Sequence, residues 1–425
     1  MNVLKVILAT LLASMVFSPS FFEASSPLQM KIDEAPVGAI VEIDAGEYEE
    51  TLVISKPITL VGNGEVRIKS CEAEPVIAIS GEDVTLKKIT VEHCGYEEED
   101  TAIYITGSNH RMEELIIETR RYGVKLDQAN GVTIKDSEII GMKRGNGIDL
   151  WQSNQNTFEA LRIASVSDGI YLEQSNENLI YKNNLENSRY GMHLMYSNDN
   201  VLRDNLSSSN ITGTMLMETE RTTVHGNAFL ANKNSVNAQG LLLYEAYETE
   251  VIENEFISNR IGVYIEKAGN NHLESNKIRD NFIGVQMKNA SDNKITRNTF
   301  VGNVNEAQAI ESSKNEVNQN YWDAASKVDV DGNGESEISY TADPYFLTLT
   351  TDVPEYQLFF QAPGLILLQN LLKSPPEQLL TDSAPLMEMT MEVEKETSSS
   401  LGLWVMSIVM IGASFSLFII GRKRR

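Results

Sequence analysis

The chain has 425 residues, with 35 Lys+Arg against 60 Asp+Glu and a formal net charge of −25. That acidity excludes a nucleic-acid binder, which needs a basic surface, and it excludes attachment to anionic lipid by charge alone. Hydrophobic residues at 42% and charged residues at 22% describe a globular chain, for which this length alone suggests about three ordinary domains. Its two cysteines exclude a disulfide-dense scaffold and a four-cysteine zinc or iron–sulfur site.

Residues 1–25 begin with Lys5 in a short positive start, continue apolar to Phe17 and reach Ser18-Pro19-Ser20. This predicts a secretory signal peptide cleaved near Ala24. Phe22 is an unfavourable residue three positions before that cut, so an uncleaved anchor is the alternative. The body follows from residue 26. The strand-like run Ala39-Ile40-Val41-Glu42-Ile43 opens it, and Val76–Ile79 and Ala102–Ile105 repeat the pattern. Cys71 and Cys94 lie close to one such period apart. Outside the membrane this spacing predicts a disulfide between adjacent coils. The alternative is a metal-binding thiol pair beside His93.

From residue 123 the period is explicit. Gly123, Gly147, Gly169, Gly191, Gly213, Gly240, Gly262 and Gly284 are spaced by 24, 22, 22, 22, 27, 22 and 22 residues. One residue after each glycine from Gly147 onward stand Ile148, Ile170, Met192, Thr214, Leu241, Val263 and Val285. Three after stand Leu150, Leu172, Leu194, Leu216, Leu243, Ile265 and Met287. Alternation of these apolar positions with mostly polar ones is strand periodicity with one face buried. Short strands, frequent turn residues and a fixed period of about 22 residues predict an all-β fold, a right-handed parallel β-helix over residues 26–322. Two asparagine columns, Asn183 to Asn298 and Asn210 to Asn303, are expected to be turn ladders, since Asn tolerates left-handed geometry and its amide can bond its equivalent one coil away.

In such a solenoid the interior is packed, so chemistry belongs on outward columns. The positions two and four after each glycine hold Asp149 and Trp151, Tyr171 and Glu173, His193 and Met195, then Met215 and Met217. His193, Met195, Met215 and Met217 are therefore expected to form a two-by-two outward patch. Imidazole and thioether donors suit Cu(I). The competing reading is an apolar surface for a protein partner, because flexible methionines also serve that purpose.

Residues 323–388 read as an acidic-loop and tail module. Asp329, Asp331, Asn333, Glu335 and Glu337, with Gly334 among them, follow the alternating-oxygen pattern of a calcium loop. Tyr340 stands where a full EF-hand loop has its last Glu, and a plain acidic turn is the alternative. The apolar run 364–373 is expected to cap the solenoid or dock on a partner. A polar linker, 389–400, leads to an apolar stretch at 401–421, long enough for a transmembrane helix. Arg422, Lys423, Arg424 and Arg425 follow it and place the tail, 422–425, in the cytoplasm. The expected topology is a single-pass anchor with the β-helix outside.

The segments Arg144-Gly145-Asn146-Gly147-Ile148, Asp168-Gly169-Ile170-Tyr171 and Arg189-Tyr190-Gly191-Met192-His193-Leu194-Met195-Tyr196-Ser197 occur in order. Thr212-Gly213 with Leu216-Met217, Asn320-Tyr321-Trp322 and Ser383-Ala384-Pro385-Leu386-Met387 come after them. Together, over about residues 35 to 388, they resemble the NosD family of accessory proteins for nitrous oxide reductase maturation. The resemblance implies a right-handed β-helix outside the membrane. It implies action with an ABC-type ATPase and permease in building the copper–sulfide cluster of nitrous oxide reductase, without catalysis by the protein itself. By it, His193, Met195 and Met217 fall in family-like segments, while Met215 rests on the column argument. The C-terminal span departs from periplasmic members and points to a cell without a periplasm. Two other functions fit the fold. One is a β-helix polysaccharide lyase, hydrolase or epimerase, which needs clustered carboxylates or a base on one face; Asp149 and Glu173 on adjacent coils are its candidates. The other is a surface adhesin.

Overall fold

Alternating burial at a repeat of this length is realised by stacking each coil on the last. The structure, a computed structural model, describes residues 27–344, 364, 374–375 and 378–389. They form an all-β parallel solenoid of about 13 coils with about 22 residues per coil. The expected signal peptide at 1–25, nearly all of the apolar run 364–373, the linker, the membrane helix at 401–421 and the tail at 422–425 lie outside the described residues. Among the described residues no helix is long and apolar enough to cross a membrane.

A typical coil contributes one strand to a 12-stranded parallel sheet and two short strands, mostly of three residues, to a second, 24-stranded one. In the first sheet Asp168–Glu173 pairs with Tyr190–Met195, that with Thr212–Met217, and that with Gln239–Tyr244. Ile170, Met192, Thr214, Leu241 and Val263 are thereby in register, each fully buried. Like side chains stack inside: Phe229 lies flat on Phe256 with centroids 4.9 Å apart, and Phe300 on Trp322 at 4.0 Å.

The glycine column has a steric cause. A Cβ at Gly147 would stand 2.6 Å from the Gly169 carbonyl oxygen, and the same clash with the next coil's backbone recurs from Gly123 to Gly284. At Gly213 the added carbon would also meet Phe229 Cδ1 at 2.7 Å and the Asn232 amide nitrogen at 3.1 Å. Backbone of a paired strand cannot yield as a flexible side chain can. Gly213→Ala is therefore expected to cost about 1–3 kcal/mol of stability, read as a lowered urea midpoint. An unchanged midpoint would mean the coils can separate locally.

The asparagines form ladders by a different route from the expected one. Their own backbone is not left-handed. The residue before each is: Lys182, Asp204, Gly226, Glu253, Ser275 and Arg297 precede one column, all with positive φ. The chain turns there and aims the following asparagine inward. Asn183, Asn205, Asn227, Asn254, Asn276, Asn298 and Asn320 are then linked Nδ2–H to Oδ1 at 2.8–3.1 Å, with each Oδ1 also accepting the preceding ladder residue's backbone N–H. The second column runs from Asn210 to Asn303. A third joins Asn156, Asn178 and Asn200, passes through Thr222 and Thr249 without an amide, and resumes at Asn271 and Asn293. These amides satisfy backbone groups that the tight corners would otherwise orphan.

The ends are closed differently. At the start, the helix Pro27–Glu34 lays Leu28 and Ile32 over the first coil. At the finish, the strand Leu380–Asp382 pairs antiparallel with Tyr340–Ala342, and Asp382 meets the last rung, Asn320. Cys71 and Cys94 are bonded across adjacent coils, with Cα atoms 4.6 Å apart. His93, the expected companion of a metal-binding thiol pair, instead accepts the Gly95 N–H on Nδ1 and places Nε2 3.3 Å from the Glu74 carbonyl.

Candidate functional site

The register sets His193 beside Met215 and Met195 beside Met217. On the preceding coil Tyr171 faces His193 and Glu173 faces Met195. The three methionines are half-buried. His193, expected on an open face, is only 9% exposed. Tyr171 and Tyr190 cover it from two sides, with ring centroids 5.0 and 4.8 Å from the imidazole, both tilted.

Below the rings sits Asp168, 1% exposed. Its Oδ2 lies 2.9 Å from His193 Nδ1. The Arg189 guanidinium forks onto it, Nε to Oδ1 and Nη2 to Oδ2, both at 2.9 Å. Burial pushes the Asp168 carboxyl up, but the hydrogen bonds from His193 and Arg189 outweigh it and hold the group below the usual carboxylate range. Arg189 also lies over the Tyr190 ring, 4.7 Å from its centroid. The other imidazole nitrogen, Nε2, is buried and has no hydrogen-bond partner. A histidine with one nitrogen on a carboxylate and the other presenting a bare lone pair is the arrangement in which imidazole binds metal.

Asp168, Arg189 and Tyr190 were not among the expected site residues. They lie one or two positions before the column glycines, outside the outward positions counted from them. Asp168 and Tyr190 are register partners, but strict alternation gives the position before the glycine the same inward parity as the two buried columns, so counting alone assigns both to the core. No spacing rule shows that Arg189 reaches back 21 residues to the preceding coil.

The donors beside His193 are sulfur. Glu173 is occupied by the Tyr171 hydroxyl at 2.7 Å, and that hydroxyl also lies 3.8 Å from Met195 Sδ. Asp149 accepts the Asn146 amide at 2.6 Å, and burial raises its carboxyl above the ordinary value. Asp149 pairs in register with Tyr171 and Glu173 with Trp151, so the two carboxylates are diagonal to one another. The broader concavities lie elsewhere. One of about 760 Å³ opens against the early strands beside Arg67 and Lys88, where Arg67 is already paired with Glu92 and Glu118.

In the acidic loop the structure brings Asp329, Asp331 and Glu337 together, with one carboxylate oxygen of each within 4.8 Å of the others. It does not add the rest of the expected set. Glu335 turns to the Gln319 amide at 2.5 Å, and Asn333 accepts the Glu335 N–H. Asp329 accepts the Gly332 and Gly334 N–H groups, which hold its carboxyl low. Five expected oxygen ligands reduce to three carboxylates in a loop that closes on its own backbone.

Residues 133–337 match the family described as "Periplasmic copper-binding protein (NosD)". No curated protein matches the chain. Among solved structures, the A-module of the Azotobacter vinelandii mannuronan C-5 epimerase AlgE4 is similar at TM-score 0.51 and 15% identity, covering 67% of this chain and 94% of that one. The periplasmic alginate epimerase AlgG is similar at TM-score 0.53 and 14% identity, covering 68% and 81%. A GH87 α-1,3-glucanase from Streptomyces thermodiastaticus reaches 0.50 and 14%, covering 67% and 60%. At such identities these likenesses speak for the fold alone.

Proposed function

We propose, taking a NosD-like β-solenoid as the premise, that this protein is an extracytoplasmic, non-enzymatic accessory factor in nitrous oxide reductase maturation. In this reading it handles Cu(I), as cargo for the copper–sulfide cluster, and works beside an ABC-type transporter in the membrane. It is exported by a signal peptide, winds right-handed as parallel crossovers ordinarily do, and is anchored by the apolar segment at 401–421. One observation carries the proposal. Within the family-matched span, the buried His193 Nε2 lacks any partner, its residue pairs in register with Met215, and two residues further along the same strands Met195 pairs with Met217. One imidazole and three thioethers form a soft, neutral donor set suited to Cu(I) rather than to a hard cation. His193, Met195, Met215 and Met217 would hold the ion. The nearest carboxylates, Asp168 and Glu173, are engaged by Arg189 and Tyr171.

Deletion of the gene is expected to leave nitrous oxide reductase deficient in cluster copper, measured by metal analysis of the enzyme from the same cell. A fully loaded, active reductase in the deletion strain would sink the proposal. On the purified full-length protein, the combined His193→Ala, Met195→Ala and Met217→Ala substitutions are expected to abolish one Cu(I) site in a chelator-competition titration. Unchanged stoichiometry would leave the patch as a protein-contact surface.

A second reading is favoured by the Asp168–His193 pair, which is also an acid–base arrangement. It would make the protein a carbohydrate epimerase or lyase. The methionines occupy the coils where a sugar cleft would continue. Uronate polymers incubated with the protein are expected to show neither inverted residues nor unsaturated ends by NMR.

A further inference from the structure

The geometry points to Asp168 and Arg189 as positioning residues that hold His193 in the one tautomer able to bind a soft cation. The inference rests on the copper reading of the same site. Nδ1 lies 2.9 Å from a carboxylate oxygen, which can only accept, so Nδ1 carries the hydrogen. Nε2 is buried with no acceptor nearby. A hydrogen there would be an orphaned donor out of reach of water. The neutral Nδ1–H form is therefore the one this pocket stabilises, and it leaves the Nε2 lone pair unclaimed on a residue whose register partner on the next coil is Met215.

Asp168 does this only because it is itself held. It stands at the first position of the strand Asp168–Glu173, where the following coils have Tyr190, Thr212 and Gln239 in register. It is therefore no rung of a ladder. Its oxygens receive two hydrogen bonds from Arg189, one from His193 and one at 3.3 Å from the Ser167 hydroxyl. The bidentate fork fixes the carboxylate plane as well as its charge. The backbone N–H groups of Arg189 and Tyr190 both bond the Ser167 carbonyl, at 2.8 and 3.2 Å, so the turn carrying Arg189 is tied to the residue before Asp168. Tyr171 and Tyr190 then stop the imidazole from swinging. Nothing in this arrangement needs Asp168 or Arg189 to touch the ion.

The test uses the full-length protein, Cu(I) as the probe and a competing chelator. Asp168→Asn and Arg189→Gln are expected to weaken Cu(I) binding by roughly tenfold to a hundredfold while leaving the stoichiometry intact, with Arg189→Lys recovering part of the loss. In the copper-free protein, ¹⁵N-histidine NMR is expected to show His193 as the Nδ1–H tautomer, and the Asp168→Asn substitution to mix the tautomers. A merely structural role would move the unfolding midpoint without moving that signature. Arg189 is half-exposed at its side chain, so its variants keep the test open if Asp168→Asn does not fold. Cu(I) affinity within about twofold of wild type in Arg189→Gln, with the tautomer unchanged, overturns the inference. If the wild-type protein binds no Cu(I) yet shows the Nδ1–H tautomer, it is the copper reading that fails.

Discussion

Asp382→Ala is expected to lower the unfolding free energy by at least about 3 kcal/mol, because it strips the acceptor from three buried donors at about 1–3 kcal/mol each. Asp382 is fully buried. Its Oδ2 accepts the Asn320 backbone N–H at 2.9 Å, the Asn320 Nδ2–H at 3.0 Å and the Trp322 indole N–H at 2.9 Å. Its Oδ1 accepts the Ala384 N–H. Every other rung of the ladder finds its acceptor on the following coil, and the last rung has no following coil. Asp382 supplies the missing oxygen from a returning strand. Asp382→Asn keeps one carbonyl oxygen and is expected to cost less than alanine. Stacked coils depend chiefly on their neighbours, so the loss is expected first at the C-terminal end. In hydrogen exchange, Thr299–Val301 and Tyr321–Trp322 are expected to lose protection before Asp168–Glu173 does. A urea midpoint within experimental error of wild type would mean that the returning strand is dispensable.

Asn227→Leu is the other large effect, expected at about 3–5 kcal/mol. Leucine matches the volume but neither accepts nor donates. Asn227 Oδ1 takes the Asn205 N–H and Nδ2–H, both at 2.9 Å. Its Nδ2 serves the Leu202 carbonyl at 2.9 Å, the His225 carbonyl at 3.2 Å and Asn254 Oδ1 at 3.0 Å. With the residue 1% exposed, no water replaces these bonds, and two orphaned donors alone account for most of the estimate. Asn234→Leu is the control. That asparagine lies in the exposed insertion between two coils, with one bond at 3.3 Å, and is expected to change stability by less than about 0.5 kcal/mol. Equal effects at both positions, measured by urea unfolding, would show that the ladder amides contribute no more than surface ones.

Both residues show where sequence reading stops. Asn227 is visible as a member of a column, because a fixed period repeats the same environment and periodicity is local information. What the column does is not visible. The left-handed residue was expected to be the asparagine and is the one before it, since an inward-facing amide needs the turn completed one position earlier. Asp382 is a lone acid in Leu380-Thr381-Asp382-Ser383, 60 residues beyond Trp322 in the chain, and no spacing rule connects the two.

The candidate site divides along the same line. His193, Met195, Met215 and Met217 stand in two outward columns that counting from Gly191 and Gly213 defines, and the strand register places them side by side. Counting assigns a face, not an exposure. It expects His193 in solvent, whereas Tyr190 on its own strand and Tyr171 and Asp168 on the preceding coil, about 5 Å away, lean across and enclose it. The acidic loop shows the converse limit: alternating oxygens were read as five ligands, and the loop's own backbone N–H groups claim part of them.

The sequence by itself determined the solenoid, its 22-residue coil, the glycine and asparagine columns and the outward face that carries sulfur and imidazole. All of these follow from a side chain's position within a repeat. Only the tertiary structure decided how that face works. It showed that Arg189 reaches back across one coil to Asp168, that Asp168 lies 2.9 Å from His193 Nδ1, and that Nε2 is left buried without a partner. Those contacts depend on side-chain reach and on which competing partner is nearer, and neither is written in the period.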